Sequence, residues 1–196
     1  MIFKRIDDQV AQQLQTIALH EIDLNFCLFC LSQLKSLNTN KQSDLAEALW
    51  VSCIARFFKC FGKSKARFPL SARTIFKSDP KLHDAYRYFR ALRNKHIIHD
   101  ENALSRAFVA VVINPPEHEN PVAEVDAWPL HVFLVDVDRE PLRNLIDATH
   151  TWVTGRRTEL EKALAVTYGQ WTRDKLLALP DLAIPFPRQD DVFTAR

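Results

Sequence analysis

Between Arg90 and Asp100 the chain reads Arg-Ala-Leu-Arg-Asn-Lys-His-Ile-Ile-His-Asp, gathering three cations, an amide and two imidazoles into eleven residues. Arginine keeps its charge and forks onto phosphate oxygens, while histidine alone titrates near neutrality without perturbation and can both take and give a proton. An arginine beside imidazoles is therefore a kit for phosphate-ester chemistry that needs no metal. On an ideal helix a six-residue separation turns His99 about 240° away from Arg93. The two converge only if the helix ends near Ile98 or if two subunits pool their groups.

Other chemistries find less support. The chain has three glycines against ten prolines and contains neither GxGxxG nor GxxxxGK[ST], which argues against Rossmann or P-loop nucleotide binding. Cys27, Cys30, Cys53 and Cys60 all lie in apolar, helix-like sequence. No second CxxC and no histidine pair completes a ligand set for Cys27-x-x-Cys30, so buried structural thiols are expected and no metal or cofactor. His20, His83, His118, His131 and His150 lack ligand spacing and read as surface or packing residues. With no signal peptide, and no apolar run read as near the roughly 18 residues of a span, the chain is expected to be soluble and cytoplasmic.

The net charge of +2 conceals a division. From Ala48 to Lys95 there are twelve Lys or Arg and two acids, leaving fourteen bases and twenty-two acids elsewhere, so a +10 block sits in a chain otherwise at −8. Such a block suits a polyanion, and Lys63, Lys65, Arg67, Arg73 and Lys95 are the candidate nucleic-acid contacts.

The elements that must position these groups are mainly helical. Apolar residues at Val10, Leu14, Ile17, Leu24, Leu28 and Leu31 predict a helix from about Asp7 to Ser36, with Glu21 on the same stripe, snorkelling, paired with a base, or aimed as a carboxylate into a polar site. A second helix is expected from Ser43 to Gly62, followed by a basic connector over 63–72. Asp79-Pro80 opens a third, since the carboxylate caps and proline fits the first turn. Its stripe of Leu82, Tyr86, Phe89 and Leu92 runs on into Arg93 and His96. The β-branched segment 107–113 predicts a strand, with 131–137 as its antiparallel partner across a long loop over 115–129. Helical spacing returns from Asp138 to Leu164, bending near Gly155, and a short helix covers 172–179. One helical domain over 1–179, with a β insertion at about 106–138, and an extended or partly disordered tail over 180–196 are the expected organisation. At 196 residues and 47% hydrophobic the chain can bury a core of its own.

Arg93-Asn94-Lys95-His96-Ile97-Ile98-His99, late in a helix of a helical chain, resembles the R-x(4–6)-H signature of the HEPN superfamily, in which a polar residue often follows the arginine. The resemblance implies a HEPN-like helical bundle, here carrying an inserted two-stranded antiparallel β unit, and a homodimer with two motifs facing each other. It also implies a metal-independent endoribonuclease of toxin–antitoxin or defence type, with RNA as substrate and an antitoxin or other protein as partner. Arg93, Asn94 and His99 would be catalytic, with Asn94 orienting phosphate or imidazole. Arg90 and His96 fit the same spacing and are second candidates. The same resemblance admits a non-catalytic module that binds nucleic acid or protein.

Overall fold

The computed structural model describes residues 2–38, 41–99, 104–132, 135–184 and Gln189. In chain order the elements are α1 (Gln9–Ser36), α2 (Ser43–Lys59), α3 (Ala72–Ile75), α4 (Pro80–Leu92), a π-helical turn (Arg93–Ile98), β1 (Ser105–Ile113), β2 (Val122–His131), α5 (Val135–Gly169) and α6 (Arg173–Leu177). The protein is mainly α, a helical bundle with a two-stranded antiparallel sheet, as the hydrophobic spacing predicted.

Local chemistry accounts for most boundaries. The Asp8 carboxylate accepts from the Ala11 amide to start α1, and the Asp79 carboxylate accepts from the Lys81 and Leu82 amides ahead of Pro80. The Thr172 hydroxyl opens α6 in the same way. Helix α2 starts at Ser43 as expected, although Gln42 is its flanking residue and provides no side-chain cap. It ends at Lys59, short of Gly62.

Helix α1 packs along α2 and α5, and α4 lies against α5 and meets α2 through aromatic rings. Trp50, Ile54, Phe57, Phe76, Phe89 and Leu145 are among the fully buried core side chains. Truncating one of the aromatics to alanine costs about 3–5 kcal/mol in such a setting. Aromatic contacts fix the relative direction of α2 and α4. Trp50 meets Phe89 at 6.1 Å between ring centroids, whereas Phe58 and Phe61 meet Tyr86 at 5.4 and 5.0 Å. Advancing along α4 therefore means retreating along α2, so the two run antiparallel.

Several expectations change. The partner of β1 is Val122–His131, not 131–137, and the intervening connection is short. Asn114 and Asn120 close it: the Asn114 side-chain amide donates to the Asn120 carbonyl, and the Asn120 side chain accepts from the Val122 amide. Pro129 and the acids Glu124 and Asp126 gave β2 a loop-like composition, but in a two-stranded hairpin each strand has an open edge that tolerates proline. The β unit thus ends at His131, and α5 begins at Val135. Helix α5 passes through Gly155 without interruption.

The tail begins as an extended strip against the N-terminus, with Lys4 paired to Asp181 at 2.8 Å and the Arg5 amide donating to the Pro180 carbonyl. Residues 185–188 and 190–196 of the expected tail lie outside the described residues. Helix α1 is long and apolar enough to cross a membrane by length and composition, with a hydropathy of 1.2, contrary to the reading that no such run exists. Here it is the central helix of the bundle, and it carries the buried polar residues His20 and Asp23.

Candidate functional site

The expected site sits where α4 changes its winding. At Arg93 the helix widens into a π turn that lasts to Ile98, and His99 leaves it in an extended conformation at φ −135° and ψ 141°. This meets the condition that the helix end near Ile98. Single π turns in α-helices are rare and recur at functional sites because they re-aim the side chains that follow.

Arg93 is half-buried, and its Nη1 donates to the Asn94 side-chain oxygen at 2.9 Å. Its buried Nε has no hydrogen-bond partner among the described residues. His99, Lys95 and Arg90 are exposed. His96 is 8% exposed and faces inward with Ile97, which packs on the core. The structure thus joins Arg93 to Asn94 and leaves His99 in solvent one residue beyond the turn. No hydrogen bond or ion pair among the described residues links His99 to Arg93. His96 is ill placed to meet a large substrate, while Arg90 remains available beside the turn.

The exposed residues of α4 lead up to this end. Lys81, Arg87 and Arg90 are exposed along the helix, and the Asp84–Arg87 contact, at 3.9 Å between largely exposed groups, neutralises little. Tyr88 donates its hydroxyl to the buried Asp138 carboxylate, tying α4 to the start of α5. Burial first, and the hydrogen bond to Asp138 second, push the Tyr88 phenol well above its ordinary range, so it remains a neutral strut.

The other candidate contacts lie elsewhere. Because α2 and α4 are antiparallel, the connector after α2 is at the opposite end from the π turn, a helix length of about 25 Å away. Lys63 and Lys65 are exposed there, and Arg73 is exposed on α3 near the start of α4. A groove of about 700 Å³ lined by Gln12, Thr16, Lys65 and Phe68 also belongs to that end. It is too distant to serve Arg93 and His99 of the same chain.

Arg67 departs most from the expected nucleic-acid role. Its side chain is 6% exposed and its Nη2 donates to Asp23 at 2.6 Å. Arg56 donates to the other Asp23 oxygen at 2.7 Å, and Lys59 stands 3.5 Å away. Burial alone would raise the Asp23 carboxyl, but hydrogen bonds from Arg67 and Arg56 outweigh it and hold the group below its ordinary 3.8. His20, one helical turn away, is fully buried with Nε2 3.0 Å from the Phe68 carbonyl. Burial above all keeps it below its ordinary 6.5, hence neutral. This hub pins the connector to α1 and α2. It escaped the sequence reading because its members are 33 and 44 residues apart, although Asp23 and His20 fall on the buried stripe of α1 and signalled it.

The remaining groups are structural. Glu21 pairs with Arg157 at 2.6 Å, as expected of a carboxylate on that stripe that meets a base. The four cysteines are buried, and burial raises Cys30 to about 11 and Cys60 to about 12, which makes those two poor nucleophiles. Among the described residues no group of three or more His, Cys, Asp or Glu is arranged to hold a metal ion. No family model matches this chain, and no curated protein or solved structure matches it. The functional reading rests on its own residues.

Proposed function

We propose that this protein is a HEPN-like, metal-independent endoribonuclease that works in the cytoplasm as a homodimer, in a toxin–antitoxin or defence setting with an antitoxin or other protein as partner. The observation that carries the reading is the end of α4: the Arg93–Asn94 pair on a π turn, exposed His99 immediately after it, and Arg87, Arg90 and Lys95 along the approach.

His99 draws the proton from a ribose 2′-hydroxyl, and the 2′-oxygen attacks the adjacent phosphorus. The 2′-oxygen–phosphorus bond forms, the 5′-oxygen–phosphorus bond breaks, and the departing oxygen takes a proton from water. Arg93 stabilises charge on the phosphate, with Asn94 fixing the guanidinium. The products are a 2′,3′-cyclic phosphate and a 5′-hydroxyl. A second reading, a non-catalytic module that binds nucleic acid or protein, is favoured by the lack of a bond between Arg93 and His99.

Incubation of purified protein with mixed RNA in EDTA separates the two. Cleavage that is lost in both His99→Ala and Arg93→Ala supports the nuclease. Salt-sensitive RNA binding without cleavage supports the second reading. Cleavage surviving at the wild-type rate in both variants removes the site assignment.

A further inference from the structure

The hairpin of β1 and β2 is not covered by any other element among the described residues. From 106 to 130 every residue except Ala110 and Asn114 is exposed, and nine of its large apolar side chains are solvent-facing, with Val109 at 74% and Ile113 at 75%. On one face the register sets Ala107 opposite Pro129, Val109 opposite Ala127 and Val111 opposite Val125, with no polar side chain among them. An isolated two-stranded hairpin is marginal in water, and three or more strands, or packing on a helix, are needed for it to persist.

We propose that β1 pairs edge to edge, antiparallel, with β1 of a second copy of this chain, making a four-stranded sheet ordered β2-β1-β1-β2 across a two-fold axis. The choice of partner follows from the two open edges. Residues 107–113 of β1 contain no charge, proline or glycine, which leaves that edge unguarded. Centred on Ala110, the segment meets itself without conflict: Ala110 faces Ala110, Val109 faces Val111, and Phe108 faces Val112.

The edge of β2 behaves differently. Pro129 lacks a donor, and self-pairing about Val125 would set Glu124 opposite Asp126 of the other copy, a like-charge pair that destabilises a sheet. Assembly therefore closes at two chains rather than propagating. Edge pairing sets the exposed Phe108, Val109, Val111 and Val112 of the two copies side by side across the seam, where cross-strand apolar pairs stabilise a sheet. This interface rests on the homodimer reading above and names its seam. Since β1 starts six residues after His99, at most about 20 Å of chain separates the near end of that seam from the motif.

Light scattering on the full chain at micromolar concentration reads the outcome. Wild type is expected to be a dimer. Val109→Lys combined with Val111→Lys, which sets lysines opposite lysines across the axis, is expected to be a monomer with unchanged helical circular dichroism. Ala110→Cys is expected to give a covalent dimer on oxidation, while the four buried native thiols stay unreacted. A monomeric wild type assigns the hairpin to a different partner and overturns the proposal, as does a dimer that survives the double lysine variant. Parallel RNA cleavage keeps the two readings apart: an inactive dimer retains the interface and loses the nuclease, and an active monomer does the reverse.

Discussion

Arg67 and Arg93 come from the same basic block, yet the bundle treats them oppositely. At the connector end Asp23 draws in Arg67, Arg56 and Lys59, and the guanidinium of Arg67 is spent on holding α1, α2 and the loop together. At the π-turn end Arg93 has an amide rather than an acid beside it, and His99 stands in solvent. A +10 block is thus not one surface. Charge matched by a buried acid is architecture, and charge left unmatched at a helix end is available to a ligand.

The largest expected effects test that division directly. Arg67→Ala removes one of the two guanidiniums bonded to buried Asp23, Arg56 remaining, and should lower unfolding free energy by about 1.5–3 kcal/mol in urea titrations. Arg93→Ala should change it by about 1 kcal/mol or less, as for a substitution outside a neutralised buried pair. Equal losses at the two sites would abolish the contrast. For activity the order reverses: His99→Ala should reduce RNA cleavage about 10²–10⁴-fold, the usual contribution of a general base, at unchanged stability.

A smaller effect follows pH. Asp23 has a depressed folded pKa, so its stabilisation is complete above the ordinary 3.8 and is lost as pH falls through the folded value. His20 is held neutral below its ordinary 6.5, so an unfolded chain takes up a proton that the folded chain resists, and stability declines as pH drops below about 6.5. Urea midpoints should therefore fall from pH 7 to pH 5, and less so in His20→Gln. A midpoint that rises on acidification would contradict the buried neutral histidine.

The smallest effect sharpens the exposed track. Arg87→Ala and Arg90→Ala should each weaken RNA binding modestly and reduce the salt dependence by about one ion, whereas Arg67→Ala should leave the salt slope unaltered. A slope lowered by Arg67→Ala would return that residue to the nucleic-acid surface.

How far the sequence reached depended on whether the signal was local. Asp79-Pro80 and Thr172 announced their helix starts because capping is a contact within three residues. β1 was legible from its β-branched run, but β2 was not, since Pro129, Glu124 and Asp126 are disfavoured in a covered strand and tolerated in a hairpin standing in solvent. The Asp23 hub was hidden by separation along the chain. Its trace was two polar residues, His20 and Asp23, on a stripe that otherwise buries Ile17, Leu24, Cys27 and Leu31. In the motif, the types and order of Arg93, Asn94 and His99 were readable; the π turn that redirects His99 was not, because no residue in Arg93–Ile98 is a helix breaker.

The central claim is that the open end of α4 cuts RNA through His99. Single-turnover cleavage of a short RNA in EDTA, with the product ends identified by mass spectrometry, tests it most directly. The account predicts 2′,3′-cyclic phosphate ends from wild type and a rate lowered at least about 10²-fold by His99→Ala. Equal rates for the two proteins, or fragments bearing 5′-phosphates, would contradict it.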